Sequence, residues 1–177
     1  MTIDCLFCAY VSGREPAAVV YRDELVLAMM APGPANPGHV LITPVQHIER
    51  LGGMSEEAGM HLFRIAMRMQ RAIENSSIRC EGTYLVLAEG VGAFQIVPHI
   101  YFDLVPRFPR DRYWMLATID RPYARPDALL DRLFDDRAQG RPGESRRADE
   151  IESSPARIND LAAQIRESYA AIWGGST

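Results

Sequence analysis

The sequence predicts an α+β fold, in which an antiparallel sheet packs against one long helix and a helical extension follows at the C-terminus. Strand-like segments lie at residues 17–30, 39–44, 82–90 and 95–107, where β-branched and other apolar residues form short runs between turn signals. Residues 55–75 instead carry apolar side chains at helical spacing.

The first strands surround a turn and end at a loop. The segment AAVVYRDELVLAMM, residues 17–30, predicts two short strands around a turn at Arg22, Asp23 and Glu24. Prolines and glycines in APGPANPG, residues 31–38, interrupt both kinds of regular structure, so this segment is predicted to be a loop. HVLITP, residues 39–44, then predicts a buried strand.

The long helix is predicted over residues 55–75, which begin with a serine followed by two glutamates. Its apolar residues recur at approximately helical spacing: Met60, Phe63, Met67, Met69 and Ile73. A methionine-rich stripe of this kind is typical of a core face. We therefore expect this stripe to be buried.

GTYLVLAEG, residues 82–90, predicts another strand, and the last strand is predicted over residues 95–107. Alternation in this last strand places His99, Tyr101 and Asp103 on one face. Its opposite face is apolar and suits a core: Ile100, Phe102 and Leu104. An imidazole, a phenol and a carboxylate in one row are candidates for a functional site.

The C-terminal extension, residues 109–177, has weaker signals after a core of residues 1–108. PDALLDRLF, residues 126–134, is consistent with a helix, and the charged, Gly- and Ser-containing segment 135–154 is predicted to be a mobile loop. A terminal helix is predicted over residues 155–172, with Pro155 in its first turn and Gly174 beyond its end.

Composition excludes several classes of protein. The 177 residues are 47% hydrophobic, enough for one domain with a sizeable core. A net charge of -4 argues against a nucleic-acid surface. Neither a signal peptide nor an apolar run of membrane-spanning length is present, so a cytoplasmic protein is expected.

The spacing Cys5-Leu6-Phe7-Cys8 is compatible with several roles: a redox pair, two small buried residues, or half of a metal site. A redox pair normally follows a strand at the start of a helix, and no strand precedes this one. A closed zinc site needs two further ligands. The histidine candidates are His39, His47, His61 and His99. Spacing alone leaves the choice open.

The blocks CLFC (5–8), NPGH (36–39) and PVQH (44–47), followed by the segment 95–107, resemble the histidine triad (HIT) family of nucleotide hydrolases and transferases. The resemblance extends over residues 3–108 and implies a homodimer formed through the long helix and the sheet. It also implies a structural Zn²⁺ ion bound by four residues: Cys5, Cys8, His47 and His99.

The sequence departs from that family where the family handles nucleotide. Tyr101 stands at the place of the nucleophilic histidine, and Asp103 replaces the third histidine of the triad. Other positions that would contact ribose or phosphate carry small or apolar residues: Ala31, Ala88, Phe94 and Ile96. The residues expected to line the pocket are Ala31, His39, Phe94, Gln95 and Ile96.

These departures predict a divergent, zinc-bearing member whose pocket takes a non-phosphorylated small molecule. Tyr101, Asp103 and Glu89 are the candidate acid–base or orienting groups, and the two carboxylates favour a neutral or cationic ligand. One alternative is nucleotidyl or phosphoryl transfer with Tyr101 as nucleophile. Another is a non-enzymatic dimer that binds a protein partner through the C-terminal extension, with Tyr113 and Trp114 as anchors.

Overall fold

The computed structural model describes residues 5–109, 111 and 154–174. In chain order the regular elements are α1 (Leu6–Ser12), β1 (Val19–Arg22), β2 (Val26–Met30), β3 (Val40–Pro44), α2 (Glu56–Glu74), β4 (Gly82–Val86), β5 (Phe102–Arg107) and α3 (Pro155–Trp173). The predicted helix 126–134, most of the predicted loop 135–154, and Tyr113 and Trp114 lie outside the described residues.

The five strands form one antiparallel sheet in the order β1-β2-β3-β5-β4, which confirms the predicted α+β class. β1 and β2 surround the predicted turn, where Asp23 accepts the backbone N–H groups of Leu25 and Val26 through Oδ1. β2 and β3 are buried along their whole length, as their apolar composition predicts. β4 is an edge strand.

The last strand is shorter than predicted. β5 begins at Phe102, while residues 95–101 follow an irregular path. Pro98 has no N–H to donate, and the N–H of Ile100 donates to the carbonyl of Ile48 rather than to a neighbouring strand. Period-two alternation therefore applies only from the start of β5.

α2 begins at the predicted place, because Ser55 accepts the N–H of Ala58 and caps the helix. Its buried face consists of Leu62, Ile65, Ala66, Met69, Ala72 and Ile73. The expectation of one buried methionine stripe is wrong for three of its members, because Met60, Phe63 and Met67 are 63%, 49% and 60% exposed. Apolar residues thus cover two faces of α2, and among the described residues one of these faces is buried while the other is largely exposed.

The terminal helix α3 begins where the sequence predicts and ends one residue later, at Trp173. Ser154 accepts the N–H of Arg157, Pro155 occupies the first turn, and Gly174 follows the helix with a φ of 63°. α3 packs on the same core as α2; its buried residues are Leu161, Ala162, Ile165 and Tyr169.

The two faces of the sheet carry different contents. The face toward α2 and α3 holds the larger core, whereas the opposite face holds a smaller cluster beneath α1: Cys5, Phe7, Leu27, Met29, Ala31 and Leu41, with Tyr101 at its border. Cys5, Cys8, Ala31 and Tyr101, which are among the candidate functional residues, lie on this second face. Among the described residues, no helix has both the length and the apolar character needed to cross a membrane.

Candidate functional site

Two cysteines and two histidines meet at the end of the sheet that α1 covers. Cys5 immediately precedes α1, and Cys8 lies within it. His47 follows β3, and His99 stands shortly before β5. Their ligand atoms all lie within 4.8 Å of one another, so the structure brings the four predicted metal ligands together.

The spacing of these atoms fits a tetrahedral metal site. Zinc–sulfur and zinc–nitrogen bonds of ordinary length, at tetrahedral angles, separate a sulfur from a nitrogen ligand by about 3.6 Å. The Nδ1 of His99 lies 3.4 Å from Cys5 Sγ and 3.8 Å from Cys8 Sγ, and the Nδ1 of His47 lies 3.2 Å from Cys8 Sγ. This group of side chains can therefore hold a metal ion.

Hydrogen bonding and burial prepare the histidines for this role. Nε2 of His99 lies 3.0 Å from the carbonyl oxygen of Pro44 and donates to it, which leaves the Nδ1 lone pair directed at the thiols. Burial lowers the pKa of His99, so its imidazole is neutral, as a ligand must be. Burial, then a hydrogen bond with Cys5, raises the pKa of Cys8; a bound cation would act in the opposite direction.

The other candidate ligands are engaged elsewhere. His61 Nε2 lies 2.6 Å from Asp23 Oδ2, which also accepts the hydroxyl of Tyr21 at 2.6 Å. The thiol of Cys80 donates to the carbonyl of Gly82. Neither residue belongs to the group of four candidate ligands.

Phe7 joins the metal-binding end of this face to the candidate pocket, and the sequence analysis missed it. Its ring is 3% exposed and stacks on Tyr101, with centroids 4.7 Å apart and planes inclined by 30°. It also lies 5.5 Å from the His99 ring. The sequence does place an aromatic residue between the two cysteines. Because α1 brings the cysteines to the sheet, it must bring Phe7 there as well, and this spacing could have predicted the contact.

Tyr101 and Asp103 share the face beneath α1. Burial, followed by the charge of Asp103, raises the pKa of Tyr101, so the phenol keeps its proton at neutral pH. Asp103 Oδ1 lies 3.0 Å from Nε2 of His39, which is buried. His39, a predicted pocket residue, is therefore a direct partner of Asp103.

No arginine neutralises Asp103 within the described residues. Arg107, four residues further along, instead donates to Asp111 over 2.6 Å and stacks on the ring of Tyr84 at 4.1 Å. Its hydrogen bond with Asp111 is the main reason that the pKa of Arg107 is raised. Within the described part of the chain, the face beneath α1 therefore carries a carboxylate without a guanidinium partner.

The remaining predicted pocket residues are dispersed. Ala31 is buried near the floor of the face, and Gln95 holds the loop by accepting from Gly90 N–H and donating to the carbonyl of Glu49. Phe94 and Ile96 are 87% and 85% exposed, so neither packs closely on the described residues. Their role in lining a pocket stays a prediction.

Glu89 lies apart from Asp103. Its Oε2 accepts the N–H of Leu51 at 2.6 Å. It lines an open depression of about 490 Å³ together with His47, Glu49 and Arg50. The two carboxylates expected in one pocket therefore lie apart: Asp103 is next to Tyr101, and Glu89 is beside the metal-binding cluster.

Comparison with known proteins gives consistent results. A family model described as HIT domain matches residues 12–110. An uncharacterized HIT-like protein from Borreliella burgdorferi is 35% identical over 112 residues, which are 62% of this chain and 80% of that protein. An adenosine 5'-monophosphoramidase from Schizosaccharomyces pombe is 28% identical over 112 residues, 63% of this chain and 79% of that protein.

A structural relative covers almost the whole chain. The crystal structure of a Zn-bound histidine triad family protein from Mycobacterium smegmatis matches with a TM-score of 0.69 and 24% identity, over 97% of each chain. At this identity the likeness shows the fold.

Proposed function

This chain belongs to the HIT domain family, and on that premise we propose that it is a zinc-bearing member with a pocket for a non-phosphorylated small molecule. The ligand is neutral or cationic, and Tyr101 and Asp103 orient it or exchange protons with it. No histidine nucleophile is available, because Tyr101 stands at that place.

The observation that carries this proposal is the environment of Asp103. Its contact among the described side chains is the His39 imidazole, and Arg107 is committed to Asp111. A phosphate placed about 4 Å from an uncompensated carboxylate is opposed by about 4 kcal/mol at an effective dielectric constant near 20. Phosphate sites normally offer donors and positive charge instead.

Tyr101 is poorly equipped to act as a nucleophile. Among the described residues, its hydroxyl has no basic hydrogen-bond partner, and its ring is stacked on Phe7. A tyrosine that attacks phosphorus needs a base and cations around the phosphate. The geometry favours Tyr101 as a hydrogen-bond donor to a ligand.

We propose zinc as the metal of the cluster, held by Cys5, Cys8, His47 and His99. Two thiols and two imidazoles are the ligands of structural zinc, and the relative from Mycobacterium smegmatis is described as Zn-bound. With four protein ligands the ion has no open position, and it would stabilise the attachment of α1 to the sheet. The three cysteines are free thiols, which suits a reducing compartment such as the cytoplasm.

A homodimer through α2 and β4 is the second part of the proposal. Met60, Phe63 and Met67 lie at positions i, i+3 and i+7 and are exposed, and Leu85 on the edge strand β4 is 39% exposed. A second copy would cover this stripe and the strand edge. Sedimentation should give a dimer for the native chain and a monomer for Met67→Glu, with Glu167→Gln, an exposed residue of α3, as the control.

A thermal-shift screen of the metal-loaded protein tests the ligand class. AMP, GMP and adenosine are compared with amines, amino acids and aromatic metabolites. A ligand at a hundredfold excess over its Kd adds about 2.7 kcal/mol, which is a shift of several degrees. We expect stabilisation by compounds that lack phosphate.

Nucleotide chemistry is the competing function, and the activity named for the Schizosaccharomyces pombe relative favours it. Stabilisation by AMP that disappears in Tyr101→Phe, together with a nucleotidyl adduct on Tyr101 detected by mass spectrometry, would establish it and remove our proposal. If no nucleotide in the panel raises the melting temperature, that result would count against this alternative.

A further inference from the structure

His39 and Asp103 are held beside each other by the pairing of β3 with β5. Leu41 is the cross-strand partner of Asp103, and His39 lies two residues before Leu41 on the same face. His39 Nε2 lies 3.0 Å from Asp103 Oδ1, and the residue is 7% exposed. The imidazole is therefore fixed relative to the carboxylate.

The preceding loop determines which nitrogen of His39 carries the proton. The N–H of Ala35 donates to Nδ1 over 3.2 Å, so Nδ1 is an acceptor. A neutral imidazole protonates only one nitrogen. The proton is therefore on Nε2, which donates a hydrogen bond to Oδ1 of Asp103.

Two features hold the loop so that the Ala35 N–H stays in place. Asn36 is 1% exposed, and its amide donates to the carbonyl of Pro106 over 2.8 Å. Gly38 has a φ of +84°, and a Cβ there would lie 2.9 Å from Cγ2 of Ile78. The loop therefore presents the Ala35 N–H from a fixed position.

The second carboxylate oxygen of Asp103 remains available. Across residues 5–109, 111 and 154–174, no hydrogen-bond donor or cation pairs with it, and the side chain is 17% exposed. Tyr101, which is partly exposed, stands two residues away on the same face, and its ring rests on the buried Phe7. The face thus offers one oriented carboxylate next to an aromatic side chain.

Resting on the proposed function, we propose that Asp103 binds the ammonium group of a small apolar amine, and that His39 is a positioning residue that keeps the Asp103 carboxylate oriented. A divalent cation such as Mg²⁺ or Ca²⁺ needs six or more oxygen ligands, and one carboxylate does not supply them. An alkyl- or arylammonium ion needs one acceptor and an apolar neighbour. Its charge also interacts favourably with an aromatic face.

Calorimetry on the full, metal-loaded chain tests the inference with matched pairs of probes. Phenethylamine is compared with 2-phenylethanol, and hexylamine with hexanol. We expect each amine to bind at least about tenfold more tightly than its alcohol, and Asp103→Asn to remove that difference. Asp160→Asn is the matched control, because Asp160 is an exposed carboxylate on α3 that pairs with Arg157. It should preserve the difference.

Two substitutions separate positioning by His39 from a merely structural role. His39→Leu should weaken amine binding by about tenfold. His39→Gln should restore most of it, since a glutamine amide can accept from Ala35 N–H and donate to Asp103. A purely structural role would instead make binding follow the melting temperatures of the two variants.

The outcomes distinguish this inference from the function on which it rests. Equal binding of amine and alcohol, or a preference for amine that survives Asp103→Asn, overturns the inference and leaves a non-phosphorylated ligand in place. Absence of amine binding, with another phosphate-free compound bound, has the same consequence. Binding of AMP alone, dependent on Tyr101, overturns both.

Discussion

Two histidine–aspartate pairs stand on opposite faces of the sheet, and they differ in how completely the carboxylate is satisfied. On the α2 side, Asp23 accepts four hydrogen bonds, from Tyr21, His61 and the N–H groups of Leu25 and Val26. On the α1 side, Asp103 accepts one side-chain hydrogen bond from the described residues, that of His39.

This difference distinguishes a structural carboxylate from one that is available to a ligand. The pair of Asp23 and His61 connects the β1–β2 turn to α2, and both carboxylate oxygens of Asp23 accept hydrogen bonds. In the second pair, Asp103 Oδ1 accepts from His39 and is oriented by it. The other oxygen has no donor among the described residues and can accept a hydrogen bond from a ligand. The residue types are the same, so the number of donors around each carboxylate carries the distinction.

Metal removal should have the largest effect, and the additional local opening that it causes should be confined to one face. At a thousandfold excess of free zinc over its Kd, the ion would contribute about 4 kcal/mol to the free energy of unfolding. Chelation, or Cys8→Ser, should remove that contribution and accelerate hydrogen exchange in residues 5–12 and 97–103, because α1 carries Phe7 onto Tyr101. Exchange around His61 should be unchanged under native conditions.

Cys80→Ser is the matched control for this experiment, because Cys80 lies outside the metal-binding group. Metal content by elemental analysis should stay near one ion per chain for Cys80→Ser and fall to background for Cys8→Ser. Loss of protection spread evenly over both faces would contradict the separation of the two regions.

Asparagine substitutions compare the two carboxylates directly. Asp23→Asn should lower the free energy of unfolding by about 2 kcal/mol, because the amide group presents N–H donors to the donors of Tyr21 and His61. Asp103→Asn should change it by less than about 0.5 kcal/mol, since the amide oxygen can still accept from His39. Urea titrations of the metal-loaded proteins measure both values. Similar losses for the two variants would mean that both pairs are structural.

The contribution of Asp23 to the free energy of unfolding should depend on pH, because its carboxylate is bonded as an anion. Burial alone would raise the pKa of Asp23, but the hydrogen bonds from Tyr21, His61 and the backbone outweigh it, so the pKa is lowered. As pH falls, Asp23 of the unfolded chain, with an ordinary Asp pKa near 3.9, therefore takes up its proton at a higher pH than Asp23 of the folded chain. The stability difference between native protein and Asp23→Asn should be full above that value and shrink as pH falls through the folded pKa.

Melting curves from pH 7 to pH 3, on both proteins, measure this difference, and titratable groups that do not contact residue 23 cancel. A difference that stays constant down to pH 3 would show that the pair does not depend on the charge of Asp23.

The sheet and the helices were accessible from sequence because their signals are local. Period-two and helical spacing, the Ser55 cap and the loop of prolines and glycines at residues 31–38 act within a few residues. The grouping of the four metal ligands required more. Spacing alone did not decide which of the histidines are metal ligands. The resemblance to a family selected His47 and His99, which the structure places beside the cysteines.

The errors arose where distant segments decide the outcome. Alternation was extended back over residues 95–101, but there the backbone bonds to the carbonyl of Ile48 instead of forming a ladder. Met60 and Met67 have the same apolar character as Met69, and composition does not reveal that only Met69 faces the core. The pairing of His61 with Asp23 joins residues 38 positions apart, so no local pattern contains it.

The smallest expected effect concerns the two tyrosines next to the two aspartates. Tyr21 donates to Asp23 over 2.6 Å, so Tyr21→Phe should cost about 1 kcal/mol of unfolding free energy. Tyr101→Phe keeps the ring stacked on Phe7 and removes a hydroxyl without a hydrogen-bond partner in the described chain, so its cost should stay below about 0.5 kcal/mol. Denaturant titrations of both variants give the two numbers. If Tyr101→Phe costs as much as Tyr21→Phe, the Tyr101 hydroxyl is a structural group; if it costs nothing yet weakens ligand binding, the hydroxyl belongs to the pocket.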